Sequence, residues 1–170
     1  RNGGSIPYYV NDGSTNDDSY AWVPGDDAND GFLPQTPKAT VQNLLDEIDL
    51  EAGDIVYVDN GTYDLVNEIL VDVFDAGQGT NTVVLQGVSN GVGRTILDRQ
   101  TGSGNAIRLF QTQGIELRDL TVRGARLGVK LEQSTDCRLV RVMSRDNLST
   151  GFEIIESAGT VLRESVSFNN

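Results

Sequence analysis

The chain has 170 residues, enough for one domain with a substantial core, and 25 acidic against 13 basic residues give a formal net charge of −12. Polyanion binders neutralise phosphates with clustered Lys and Arg, so this balance argues against nucleic acid as a partner. The single cysteine, Cys137, and the absence of histidine exclude an internal disulfide, Cys/His zinc sites, and Ser-His-Asp or Cys-His catalysis.

In chain order, residues 1–38 are rich in Gly, Asp, Asn and Pro, with NDGSTNDDS and PGDDANDG as loop signals and residues 8–10 as a short candidate strand. The opening RNGGSIPYYV lacks the apolar core of a signal peptide, so any export signal is expected to lie outside this chain or to have been removed. In DDANDG, Asp26, Asp30 and Gly31 stand at positions one, five and six of a calcium loop. Ala28 at position three cannot ligate, and Pro37 occupies the place of the closing Glu, so the EF-hand pattern fails. A Gly/Asn/Asp turn fits the same residues, and calcium at Asp26 and Asp30 or elsewhere in these acidic loops stays open.

TVQNLLDEIDL at 40–50 reads as a helix. Thr40 suits the N-cap, Val41, Leu44, Leu45 and Ile48 fall on one face, and EAGD ends it with Gly53 near the C-terminal turn. IVYVDNGTY follows as one strand, and TVVLQG (82–87) and TILDRQ (95–100) supply two more. No apolar run approaches the ~20 residues of a membrane span.

The sequence then repeats. IELRDLTVRG at 115–124 returns as CRLVRVMSRD at 137–146 and TVLRESVSFN at 160–169, steps of 22 and 23 residues. Ile115, Cys137 and Thr160 form one column, and Leu117, Leu139 and Leu162 the next. Leu120, Val142 and Ser165 follow, then Val122, Ser144 and Ser167; Ile107, Val129 and Phe152, and Leu109, Leu131 and Ile154, make two more. Columned neighbours within a segment sit two apart, which is strand alternation.

Such a period predicts a solenoid with three short strands per turn and no helix between them. Each coil buries its inward face only by stacking on the next, ~4.8 Å away. An antiparallel sandwich explains the alternation but not the return of residue classes at one phase. The expected fold is therefore all-β, a parallel β-helix of about five coils. Residues 1–54 form loops, a short strand and a helix capping the first coil, and 55–170 form the coils.

Outward, Arg108, Lys130 and Glu153 share a column, as do Asp119, Arg141 and Glu164, and both read as a solvated face with opposite charges paired across coils. Asn147 and Asn170 share a phase, as stacked turn asparagines would. Eleven Arg against two Lys on an acidic background suit a protein kept soluble in salt.

YYV, GDDANDG, TPKATVQNLLDEI and GDIVYVDNGTY, in that order, resemble the N-terminal segment of right-handed parallel β-helix proteins of the pectate-lyase-like superfamily. The likeness covers most of residues 8–170. It implies a right-handed β-helix and leaves function open, because the superfamily includes polysaccharide lyases, hydrolases, epimerases, phage tailspikes and non-catalytic surface proteins. Its enzymes bind extended sugar polymers along one outward sheet or the bordering loops, with a Lys or Arg base and a cation that neutralises a uronate.

By that resemblance Lys130, with Arg108 beside it, is the candidate proton-abstracting base, and Arg118, Arg123, Arg138 and Arg145 are candidate carboxylate clamps. On the residues alone the same groups read as a salt-bridge ladder and a balanced surface. Neither Asp98 nor Asp146 has the juxtaposed second acid of a glycoside hydrolase, and Cys137, in an inward column, reads as core.

TVLRESVSFNN ends on a strand pair with no capping helix, so further coils or a partner chain are expected at that edge. The lack of histidine, the balanced charges and the absence of a convergent constellation favour a secreted or cell-surface module with a structural or adhesive role. Such a module would contact polysaccharide or a surface glycan. A polysaccharide lyase or epimerase is the alternative. Tyr20, Trp22, Tyr57 and Tyr63, the aromatics that would stack on sugars, lie towards the cap and not along the coils.

Overall fold

The computed structural model describes residues 4–89 and 94–170. Strand β1 (Pro7–Val10) and helix α1 (Val41–Glu47) precede the first coil, which is β2 (Ile55–Val58), β3 (Gly61–Asp64) and β4 (Ile69–Val71). The second coil is β5 (Val83–Gln86), β6 (Thr95–Asp98) and β7 (Asn105–Phe110), and the third β8 (Ile115–Arg118), β9 (Leu120–Arg123) and β10 (Leu127–Glu132). The fourth is β11 (Arg138–Val140), β12 (Met143–Arg145) and β13 (Thr150–Ile155), after which β14 (Val161–Arg163) and β15 (Val166–Phe168) follow.

Strands stack with their counterparts in neighbouring coils. The first sheet runs β1-β2-β5-β8-β11-β14, the second β3-β6-β9-β12-β15 and the third β4-β7-β10-β13, all parallel. The result is a right-handed parallel β-helix with one short helix at its start. The expected columns are the observed registers: Leu117 opposite Leu139 and Leu139 opposite Leu162, Val122 opposite Ser144, and Ile107 opposite Val129 opposite Phe152. Leu85, Leu117, Leu139, Ile107, Val129 and Cys137 are wholly buried inside the coils.

The corners are set by backbone conformation. Asp119, Arg141 and Glu164 have φ of 57°, 52° and 53°, and Gln111, Gln133 and Glu156 have 53°, 53° and 47°. A single left-handed residue turns the chain between two strands without lengthening the coil, a conformation that costs a non-glycine side chain roughly 1–2 kcal/mol. The column of Asp119, Arg141 and Glu164 therefore lies at a bend and not on a flat strand face. Asp119 is buried rather than solvated: it takes bonds from Arg141 Nε (2.6 Å) and Nη2 (2.8 Å) and from Gln86 Nε2 (2.9 Å). Burial raises its pKa, but those hydrogen bonds outweigh it and hold the carboxyl below the usual range.

Two further expectations are corrected. IVYVDNGTY is two strands, β2 and β3, because Asp59 and Asn60 form the corner between sheets. The helix stops at Glu47, with Ile48 extended at the C-cap, before Gly53 is reached. The Asp75 carboxylate draws the chain away there by accepting from Leu50 N at 3.1 Å. The helix start is as read: Thr40 is extended and accepts from Asn43 N at 3.2 Å, while Val41, Leu44 and Leu45 are buried.

The cap covers the exposed edge of β1, since Tyr9 N bonds to Gly31 O (2.8 Å) and Lys38 N to Tyr9 O (2.9 Å). Beside it, α1 packs against β4, where Gln42 Oε1 accepts from Leu70 N at 2.8 Å. At the other end Ile154, Val161, Leu162, Val166 and Phe168 are exposed. Among the described residues no helix is long and apolar enough to cross a membrane.

Candidate functional site

The outward face of the third sheet gathers charged groups that the strand register aligns. Leu70, Arg108, Lys130 and Glu153 lie in one column, and Phe110, Glu132 and Ile155 in the neighbouring one. Arg108 Nη2 meets Glu132 Oε2 at 2.5 Å, Lys130 Nζ meets the same oxygen at 3.1 Å, and Glu153 lies 4.0 Å from Lys130. Glu68, in the connection from β3 to β4, approaches Arg108 at 3.9 Å and accepts from Asn105 Nδ2 at 2.5 Å. The Arg108 guanidinium also sits 4.3 Å from the centroid of the Phe110 ring.

Glu132 is the keystone. Its hydrogen bond from Arg108, and then that from Lys130, hold its carboxyl below the usual range. Lys130 thus lies between two carboxylates, whereas a lysine base requires a surplus of positive charge around it.

The other candidate cations do not join this face. Arg118 is on the first sheet, where its Nε and Nη2 reach Glu116 Oε1 at 2.7 and 2.5 Å, with Arg138 Nη1 4.0 Å from the same carboxylate. Arg123 and Arg145 are on the second sheet, the former 2.7 Å from Asp98 and the latter paired with Asp146. Each arginine clamps a carboxylate of its own chain.

Asp26 and Asp30 do not converge either. Asp26 Oδ1 accepts from Ala28 N at 2.9 Å, while Asp30 Oδ1 accepts from Thr36 Oγ1 at 2.6 Å and Phe32 N at 3.1 Å, so both serve turns. The hydrogen bond from Thr36 keeps the Asp30 carboxyl below its usual range. Calcium takes six to eight oxygens, and no group of three or more acidic, Cys or His side chains gathers as a metal cluster among the described residues.

Sequence reasoning missed what borders the third sheet. Gln111 Nε2 donates to Gln133 Oε1 at 2.9 Å, and Gln133 Nε2 donates to Glu156 Oε2 at 2.8 Å, a ladder of amides along the corner. Beside it is a groove of about 290 Å³ lined by Val73, Ala76, Gln111, Gln113, Gln133 and Thr135. Phe74 is 68% exposed next to it in sequence. The recurrence of Gln111, Gln133 and Glu156 at the repeat interval was the available signal. Of the aromatics near the cap, Tyr57 stacks on Tyr9 at 5.6 Å between ring centroids and meets Tyr20 tilted at 4.7 Å, Tyr63 is buried, and Trp22 is 67% exposed.

Compared with solved structures, the chain is similar to a rhamnogalacturonan lyase, with a TM-score of 0.71 and 15% identity over 96% of this chain and 52% of that one. It is similar also to the GH136 lacto-N-biosidase from Eubacterium ramulus, with a TM-score of 0.75 and 14% identity over 96% of this chain and 34% of that one. The fold is a right-handed parallel β-helix of the kind these neighbours share. At these identities the likeness extends to the fold, and the chain spans about half of the first neighbour and about a third of the second. The chain matches no family model and no curated protein.

Proposed function

We propose that the chain is a β-helix module of a secreted or cell-surface protein. It holds an extended polysaccharide along the third sheet and its glutamine ladder without cleaving it. The observation that carries this reading is the ladder itself: Gln111, Gln133 and Glu156 present amide and carboxylate groups in a straight row beside a groove. Successive rungs recur at the interstrand spacing of ~4.8 Å, a regular array suited to a regular polymer. The carbohydrate-active names of both structural neighbours are consistent with it.

The pairing of Lys130 and Arg108 with Glu132 supports binding over chemistry, since neither cation is left to abstract a proton or neutralise a uronate. Lyase or epimerase activity is the second reading, favoured only by the shared fold. Incubation with polygalacturonate and with neutral glucans and galactans, with and without calcium, separates the two. Retardation in gels containing a neutral polymer, with no ultraviolet absorbance from unsaturated sugar ends, is expected. Absorbance that disappears in a Lys130→Ala variant would establish the lyase instead.

A further inference from the structure

A second cavity, roomier than the groove beside the third sheet, lies elsewhere. A cleft of about 550 Å³ opens between the cap and the first coil. One wall is α1 with Thr40, Asn43 and Asp46, another is the loop bearing Asp12 and Asp27, and the floor is Tyr63, Leu65, Ile69 and Leu97. The size is that of a small-molecule pocket, and the combination of an apolar floor with a polar rim is the usual build of one.

The walls are fixed. Gln42 ties α1 to β4 through Leu70 N and also donates to Asp46 Oδ1 at 2.7 Å. Asp27 Oδ1 takes the amides of Ala39 (3.0 Å) and Thr40 (2.9 Å). Asp12 Oδ1 takes the amide of Ser14 at 2.7 Å, and its Oδ2 lies over Gly61, where a Cβ would come within 2.1 Å of it.

The chemistry of the lining is one-sided. It contains Asp12, Asp27, Asp46 and Asp64 and no Lys or Arg. A ligand here must bring hydroxyl donors, carry no negative charge and present an apolar face to Leu65 and Val66.

We infer that the cleft between the cap helix and the first coil binds a neutral saccharide of one or two rings, separately from the polymer on the third sheet. The lining offers acceptors for sugar hydroxyls and repels uronates.

Titration of the isotope-labelled chain with cellobiose, lactose, glucosamine and digalacturonate, followed by amide shifts, tests this. Cellobiose or lactose should move the side-chain amide of Asn43 and the backbone amides of residues 62–67 at millimolar concentration, and digalacturonate should not. Thr62→Trp, at an exposed position of β3 on the cleft, should weaken that response at least about tenfold without lowering the melting temperature. Silence to both neutral sugars, a response confined to glucosamine, equal binding of digalacturonate, or neutral-sugar shifts that survive Thr62→Trp would each overturn the inference. Because no polymer is present, the result is independent of what the third sheet binds.

Discussion

Asp59 shows how one side chain holds a loop that has no regular structure. It is wholly buried at the corner between β2 and β3 and accepts four amides, from Ser19, Tyr20 and Ala21 at 2.7, 2.7 and 2.6 Å and from Asn60 at 2.7 Å. Its replacement by Ala orphans these donors, each worth roughly 1–3 kcal/mol when left unpaired in the interior. Asp59→Ala should therefore lower the melting temperature strongly and expose residues 12–23 to protease before the coils unfold. Asp75 works in the opposite sense. Burial raises its pKa to about 6, with Asp72 and Asp49 adding repulsion. A raised folded pKa gives a contribution that is complete below the unfolded value of 3.8 and is lost as pH rises to about 6. Asp75→Asn should remove that slope between pH 4 and 6 in denaturant titrations and leave the protein more stable than the parent at neutral pH. An unchanged slope would assign the pH dependence to other groups.

At the level of elements, the column of Gly128 and Gly151 decides how closely the third sheet meets the second. A Cβ on Gly128 would lie 2.0 Å from Ser144 Oγ and 2.6 Å from Gly151 O, so Gly128→Ala forces strands β10 and β12 apart. Overpacking of this kind costs typically about 1–3 kcal/mol, and a cooperative loss of stability in urea is the expected outcome. The charged ladder should behave differently. Glu132→Gln frees Arg108 and Lys130 while keeping the shape of the side chain. The melting temperature should hardly change, and retardation by polygalacturonate should rise, because the face loses its central negative charge. The stacking of these elements was legible in the sequence because inward residues repeat in class: Leu117, Leu139 and Leu162 occupy one register position in three coils. Boundaries were less legible. A left-handed corner such as that at Asp119 leaves no mark of its own when a glycine is not required, and β2 and β3 read as one strand because only Asp59 and Asn60 stand between them. The candidate cations were legible as residue types but not as a site. Arg118, Arg123 and Arg145 project from two sheets other than that of Lys130, and a partner such as Glu132 becomes visible only when the coil closes.

Over the whole molecule, three parallel sheets form a rod whose outer faces are decorated independently of its core. Residues on the first, second and third sheets can change without disturbing the inward columns, so one β-helix can host binding on one face and packing on another. The net charge of −12 is spread over this surface and favours neutral over acidic polymers at low salt. In the proposed function the glutamine ladder beside the third sheet carries the polymer contact. Affinity electrophoresis tests it most directly, with gels containing neutral glucan or galactan, using the parent chain, Gln133→Leu and Thr62→Trp. Retardation of the parent and of Thr62→Trp is expected, with nearly free migration of Gln133→Leu at an unchanged melting temperature. Equal retardation of Gln133→Leu, or free migration of the parent in every neutral polymer, would contradict it.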